Sequence, residues 1–161
     1  MAFARQTVLQ GVPAVLNFDF RYAEQFLVAL VLTSLTVLTH SAGMSLVWRY
    51  FKRSHSFIGN RKHLKRHPIV MAGIVGIMMV THFFEVLIWA LFYMLRGVVP
   101  DELSAIYFSI YSYTTLGAGK ITVLDHWRGI GGFEAMAGML MFGWSTAVLA
   151  TVVVKLHSLD T

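Results

Sequence analysis

Residues 101–119 read DELSAIYFSIYSYTTLGAG and lie between two long apolar segments. The stretch begins with two acids, of which Asp101 can cap a helix, continues as an aromatic run that suits a short helix over residues 103–113, and ends in Thr and Gly. It is too short and too polar to cross a bilayer alone. Irregular backbone is tolerated at membrane depth only where protein covers it or where it lines a water-filled cavity. The stretch therefore predicts a helix that enters the bilayer and a loop that returns, as in a pore or the relic of one.

The composition indicates a single-domain membrane protein. The chain has 161 residues, of which 57% are hydrophobic and 13% are charged, whereas soluble domains carry roughly 25% charged residues. Cysteine is absent, which excludes a disulfide framework and a Cys-based metal site. The fold class predicted is an all-α membrane protein with three transmembrane helices, a re-entrant pore helix and a filter-like loop.

Three segments are apolar enough to span a bilayer, since about 20 apolar residues are sufficient. They cover residues 25–48, 69–95 and 132–154. The organisation predicted is an interfacial N-terminal segment, which could equally be a frayed terminus, then a first transmembrane helix, a basic cytoplasmic loop and a pore-module-like domain. These parts cover residues 1–22, 23–50, 51–67 and 68–155.

A basic cluster fixes the predicted orientation. Seven of the 13 Lys and Arg lie within residues 49–66, with no acid among them. In a soluble protein this cluster would suggest nucleic acid. Between two spans, the positive-inside rule predicts a cytoplasmic loop instead, close to anionic head groups. We therefore expect no nucleic-acid partner, an N-terminus outside, a cytoplasmic C-terminus and a bacterial inner-membrane location.

The order of span, short aromatic helix, Thr/Gly loop and span resembles the pore module of tetrameric potassium channels. The run from Tyr107 to Ser109 looks like the pore helix of that family, and residues 114–119 look like its signature loop, whose carbonyls replace the water shell of the ion. Residues 127–128 and 134–138 resemble the linker and inner helix of bacterial two-span channels. The resemblance covers residues 69–155 and makes the first span an addition.

The resemblance implies a homotetramer in the lipid bilayer that conducts a monovalent cation and is not an enzyme. Its axis would be lined by a filter-like loop. The residues of this loop are Thr114, Thr115, Leu116, Gly117, Ala118 and Gly119.

Two positions make the filter degenerate. Ala118 replaces the Tyr or Phe that packs behind the filter in the family, and Lys120 replaces an Asp at the outer mouth. Four symmetry-related lysines would repel cations. The sequence therefore predicts altered or lost potassium selectivity, in a non-selective pore, a closed pore or a repurposed subunit.

The segment after the loop, residues 120–131, is expected to be polar and exposed. Asp125 and Arg128 are candidates for an ion pair that braces the pore mouth together with Trp127, although an exposed loop with a weak ion pair would look the same in sequence. Gly138 is a candidate gating hinge, and tight helix packing is the alternative.

Ionisable residues inside the spans are a second signal, because charge at membrane depth is costly. His82 and Glu85 are three residues apart on one helix face. His40 in the first span could differ from His82 by several ångströms in depth, which is within reach after helix tilt. Two imidazoles and a carboxylate can form an interhelical hydrogen-bond cluster, bind zinc or another first-row metal, or relay protons.

Three functions follow from these observations. The first is an ion-channel-like subunit, and the second is a non-conducting structural or accessory subunit of a larger membrane complex, packed against other membrane subunits. The third is a membrane metal-binding protein or metal-dependent enzyme that uses His40, His82 and Glu85.

Overall fold

The computed structural model describes residues 20–56, 67–117 and 119–158. These residues form four α-helices: α1 (Phe20–Ser56), α2 (His67–Leu95), α3 (Glu102–Tyr113) and α4 (Ile130–His157), with a 3-10 turn at Asp125–Trp127. The described residues contain no β-strand. Most of the predicted N-terminal segment, most of the basic loop and Ala118 lie outside the described residues.

Three helical stretches are long and apolar enough to cross a membrane: Tyr22–Ser54, Pro68–Leu95 and Asp125–Leu156. This confirms the predicted all-α fold with three spans. Helix α1 continues to Ser56, beyond the boundary predicted at residue 50. Arg49, Lys52 and Arg53 therefore lie on the last turns of a helix, where positive side chains interact favourably with the helix dipole.

Helix α3 begins where the sequence predicts it. Asp101 has an extended backbone, and its carboxylate accepts hydrogen bonds from the Ser104 amide at 2.9 Å and the Ser104 hydroxyl at 2.6 Å. This is the geometry of an N-cap, which satisfies a free amide of the first turn. The hydrogen bonds from Ser104 lower the pKa of the Asp101 carboxyl below its ordinary value. At the other end, the Thr114 hydroxyl donates to the Ile110 carbonyl at 2.6 Å.

The packing places α3 against both α2 and α4, while α1 packs on the other side of the same two helices. The core at the level of α3 is aromatic: the Tyr93 and Phe108 rings lie 4.9 Å apart and the Phe92 and Trp127 rings 5.1 Å apart, both edge to face. Trp127 is 3% exposed, so the prediction that residues 120–131 are exposed throughout is wrong at this position. Trp127 is buried because its large apolar ring fills the space beside α2.

A polar contact also joins α1 to α2 inside the bundle. The Trp89 indole donates to the Thr36 hydroxyl at 3.0 Å, and both side chains are buried. The outward faces of the spans carry exposed apolar side chains such as Leu38, Val80 and Leu140. Apolar outer faces of this kind are suited to contact with lipid.

Candidate pore loop and polar cluster

The loop after α3 contains three residues with a left-handed backbone. Thr115, Gly117 and Gly119 have φ values of 61°, 82° and 58°, in the left-handed region. Among the described residues, Thr115 is the only non-glycine with positive φ, which is uncommon for a β-branched residue. The Thr115 amide donates to the Ser112 carbonyl at 2.9 Å and the Gly117 amide donates to the Tyr111 carbonyl at 3.2 Å. Helix α3 thus holds a strained loop, and such strain is common at functional sites.

Lys120 lies beside this loop on the predicted outer side. With Gly117 and Gly119 it lines a partly open cavity of about 510 Å³. The Lys120 side chain is exposed. The start of α3 and the turn before it also line this cavity, through Ser104 and Pro100.

Asp125 and Arg128 do not form the predicted side-chain ion pair, and other side chains brace this region. The Arg128 amide meets the Asp125 carbonyl at 3.4 Å through the main chain, and both side chains are exposed. The polar contacts of this region instead converge on Glu24, which forms an ion pair with Arg96 at 2.6 Å and a hydrogen bond with His126 at 3.0 Å.

Glu24 thereby ties the start of α1 to the end of α2 and to the turn before α4. The Arg96 guanidinium also lies 5.4 Å above the Trp127 ring, within the range of a cation–π contact. Next to Glu24, the Gln25 amide donates to the His126 carbonyl. Arg96, rather than Arg128, therefore braces Trp127.

The intramembrane residues singled out in the sequence come together. His40 Nδ1 lies 2.9 Å from Glu85 Oε1, and His82 Nδ1 lies 3.1 Å from Glu85 Oε2. The two imidazole ring centres are 5.3 Å apart. His40 and Glu85 are fully buried. The two histidines are thus within reach of each other, as expected.

Two further residues complete this polar cluster, which consists of His40, His82, Glu85, Tyr113 and Ser145. The Tyr113 hydroxyl donates to Glu85 Oε2 and lies 2.9 Å from His82 Nδ1. The Ser145 hydroxyl lies 3.0 Å from His82 Nε2 and 3.5 Å from His40 Nε2. Sequence reasoning missed both, because a Tyr or a Ser in a helix carries no signal of its own.

A second buried carboxylate supports α3 from α4. Glu134, at the start of α4, is fully buried. It accepts a hydrogen bond from the Tyr93 hydroxyl at 2.6 Å and another from the Ser109 hydroxyl, which also contacts the Val86 carbonyl at 2.8 Å. Helix α3 therefore covers this carboxylate and supplies one of its two donors.

Gly138 lies where α4 comes closest to the end of α3. A Cβ atom at this position would overlap the Tyr113 carbonyl oxygen and lie 3.2 Å from Cγ of the Tyr113 ring. The absence of a side chain therefore permits this contact, as the packing alternative predicts. The hinge role stays a prediction.

One comparison with known proteins gives a match. Residues 81–155 match a family model described as an ion channel. The matched segment contains about half of α2, all of α3 and its loop, and almost all of α4. This segment is therefore similar to an ion-channel family, and with three helices long and apolar enough to cross a membrane the chain is an integral membrane protein. No curated protein and no solved structure matches the chain significantly.

Proposed function

We propose that the chain is one subunit of a homotetrameric cation channel of the potassium-channel type, with altered or lost selectivity. The observation that carries this proposal is the left-handed backbone at Thr115, Gly117 and Gly119, directly after a short helix that does not span the membrane. A filter needs its backbone carbonyls as ligands for the ion, and an irregular but well-anchored loop supplies them. In the assembly, residues 114–119 of four chains would line the axis.

The free face of α3 supports contact with a neighbouring subunit. Leu103, Tyr107 and Tyr111 recur every four residues on this helix and are exposed by 61%, 47% and 37%. Their stripe lies opposite the face that contacts α2 and α4, and the two tyrosine rings stack with centres 6.3 Å apart. Aromatic side chains are enriched in protein interfaces, and a re-entrant helix needs protein cover on every side.

The charge at the loop argues for weak selectivity. The C-terminal end of a helix carries a partial negative charge, so four α3 ends aimed at a central cavity would favour cations there. Lys120 acts in the opposite direction at the outer side. Its ammonium group is exposed beside Gly117 and Gly119, and four copies within a Debye length of about 10 Å at 0.1 M salt would raise the local potential.

The proposal is tested in two steps. Native mass spectrometry in mild detergent should give a tetramer, and reversal potentials of the protein in liposomes should then show little preference between potassium and sodium. The double variant Lys120→Asp with Ala118→Tyr should restore potassium preference. Lys52→Asp, on the last turns of α1, is the matched charge control and should leave the preference as it is. Unchanged reversal potentials in a conducting double variant would contradict the assigned roles of Lys120 and Ala118.

A non-conducting accessory subunit is the second candidate, and the charge of Lys120 favours it because a ring of lysines opposes cation entry. Here the chain would keep the pore-loop architecture and pack against other membrane subunits. A monomer, or a stable complex with different proteins, would support this function and exclude a central filter. In both cases we propose a bacterial inner membrane with the N-terminus outside, because of the basic residues between the first two spans.

A further inference from the structure

Four potential metal ligands from three helices converge in the polar cluster. His40 belongs to α1, His82 and Glu85 to α2, and Tyr113 to the last position of α3. The ligand atoms that the two histidines and the glutamate offer all lie within 4.8 Å of one another. Tyr113 adds a phenol oxygen 2.9 Å from His82 Nδ1 and in hydrogen-bond contact with Glu85.

The contacts at one corner of the cluster form a closed triangle. The Tyr113 oxygen, His82 Nδ1 and Glu85 Oε2 are all mutual neighbours, with His82 Nδ1 at 2.9 Å and 3.1 Å from the two oxygens. One proton on His82 Nδ1 cannot point at both oxygens with good geometry, so without an ion His82 bonds well to only one of them. Three donor atoms at such mutual distances instead form one face of a coordination polyhedron, since bonds of about 2.0–2.1 Å to zinc place tetrahedral ligands little more than 3 Å apart.

The charge of the cluster also favours a cation. Glu85 is a fully buried carboxyl group at membrane depth, and its side-chain contacts are two imidazoles and a phenol. Desolvated carboxylates are costly unless a positive charge compensates them. A divalent ion would balance one carboxylate and one phenolate, with both imidazoles neutral.

We propose that His40, His82, Glu85 and Tyr113 bind one first-row divalent metal ion, with Zn²⁺ the best fit. Two imidazole nitrogens and two anionic oxygens provide four ligands, the usual number for a closed structural zinc site. Bonds form from the metal to Nδ1 of each histidine, to a carboxylate oxygen and to the phenolate oxygen. The phenol of Tyr113 gives its proton to the solvent on binding, as ligand deprotonation requires.

Ser145 on α4 provides the outer support that metal-binding histidines need. Such histidines donate the other ring N–H to a nearby acceptor, which fixes the ring orientation. With both Nδ1 atoms on the metal, each Nε2 carries a proton. The two lone pairs of the Ser145 hydroxyl can then accept from His82 at 3.0 Å and from His40 at 3.5 Å.

The proposed site would join α1 to the helix that carries the loop. Tyr113 directly precedes Thr114, so a metal at Tyr113 would fix the first position of the loop relative to α1 and α2. The binding of metal does not depend on conduction. A failure of the site and a failure of the channel proposal are therefore distinguishable.

The test uses untagged full-length protein in detergent, stripped with a chelator and titrated with Co²⁺ and then Zn²⁺. We expect one metal per chain by elemental analysis, a strong visible Co²⁺ absorption typical of four-coordinate sites, and its loss when Zn²⁺ displaces Co²⁺. Glu85→Gln and His82→Ala should abolish stoichiometric binding. Tyr113→Phe, which keeps the ring, should weaken binding at least 10–100-fold, the range known for loss of outer-shell partners.

Two controls keep the result specific. Glu134→Gln makes the same change at a buried glutamate outside the cluster, and His126→Ala removes a histidine that contacts Glu24; both should retain one metal per chain. If His82→Ala fails to fold, as judged by circular dichroism and gel filtration, the metal affinity of Tyr113→Phe decides whether the site exists. Wild-type protein that binds no stoichiometric metal, or variants of the cluster that bind as tightly as wild type, would overturn the proposal.

Discussion

Replacing Gly138 by Ala should destabilise the protein through a clash with the end of α3. The new Cβ would overlap the Tyr113 carbonyl oxygen and lie 3.1 Å from the Tyr113 carbonyl carbon. This backbone cannot shift freely, since the next amide, that of Thr114, is bonded to the Ile110 carbonyl at 3.0 Å. Overpacking of this kind costs about 1–3 kcal/mol.

Gly143→Ala is the matched control on the same helix, because no atom lies within 4 Å of a Cβ built there. Both substitutions gain about 1 kcal/mol of helix propensity. The difference between the two variants therefore isolates the steric cost, and we expect Gly138→Ala to be less stable than Gly143→Ala by about 1–3 kcal/mol.

Unfolding by increasing SDS in mixed micelles, followed by circular dichroism, measures this difference. Equal midpoints for the two variants would refute the close approach of α4 to Tyr113. If Gly138 served only as a hinge, Gly138→Ala would instead show normal stability and altered opening in flux assays.

Three further predictions concern the supports of α3 and the outer brace. Ser109→Ala should cost about 0.6–1.7 kcal/mol of unfolding free energy, the range for a hydrogen bond between helices in a membrane, because Glu134 would lose a donor, and SDS titration against wild type measures this. Glu24→Gln should cost no more than about 1 kcal/mol because its ion pair with Arg96 is exposed, and 1 M NaCl should remove most of the difference from wild type. The pKa of the Asp101 carboxyl is lowered in the folded state. The ionised carboxyl therefore stabilises the fold at pH values above its ordinary pKa of about 3.9, and this stabilisation is lost as the pH falls through the folded-state pKa. Stability of wild type and Asp101→Asn should thus converge in acid, and parallel pH curves would contradict this.

The features that the sequence predicted well are local or periodic. The three spans follow from the length of apolar runs, and the start of α3 follows from Asp101 and its capping pattern. The meeting of His40 with His82 and Glu85 could be predicted because depth in a membrane is set by residue count along each helix. In a membrane protein the residue count along each span thus indicates which residues lie at similar depth, and soluble folds offer no such reference.

Contacts that depend on helix rotation were not predictable. Ser145 lies 63 residues from His82 and 105 from His40 in the chain, and only the rotation of α4 turns it toward them. The prediction of an ion pair between Asp125 and Arg128 was wrong for a related reason. Asp125 and Arg128 are close in sequence, whereas the actual partners of Glu24 lie 72 and 102 residues away, and no local pattern connects them.

The position of α3 depends on polar bonds more than on apolar packing. Lipid tails are as apolar as the helices, so burial of apolar surface does little to drive helices together in a bilayer, and a helix of 12 residues has no span of its own to anchor it. Ser109 and Tyr113 lie one turn apart on its inner face. They contact a backbone carbonyl and a carboxylate on α2, another carboxylate on α4, and the His82 ring.

Each interhelical hydrogen bond of this kind is worth about 0.6 kcal/mol on average, so a single one could not fix α3. The set acts together, because a rotation of α3 by one residue, about 100°, would remove Ser109 from Glu134 and Tyr113 from Glu85 at once. The same rotation would turn the exposed stripe of Leu103, Tyr107 and Tyr111 away from a neighbouring subunit and would reorient the loop that begins at Thr114. The polar clusters therefore determine both the inner contacts of α3 and the direction in which its loop projects.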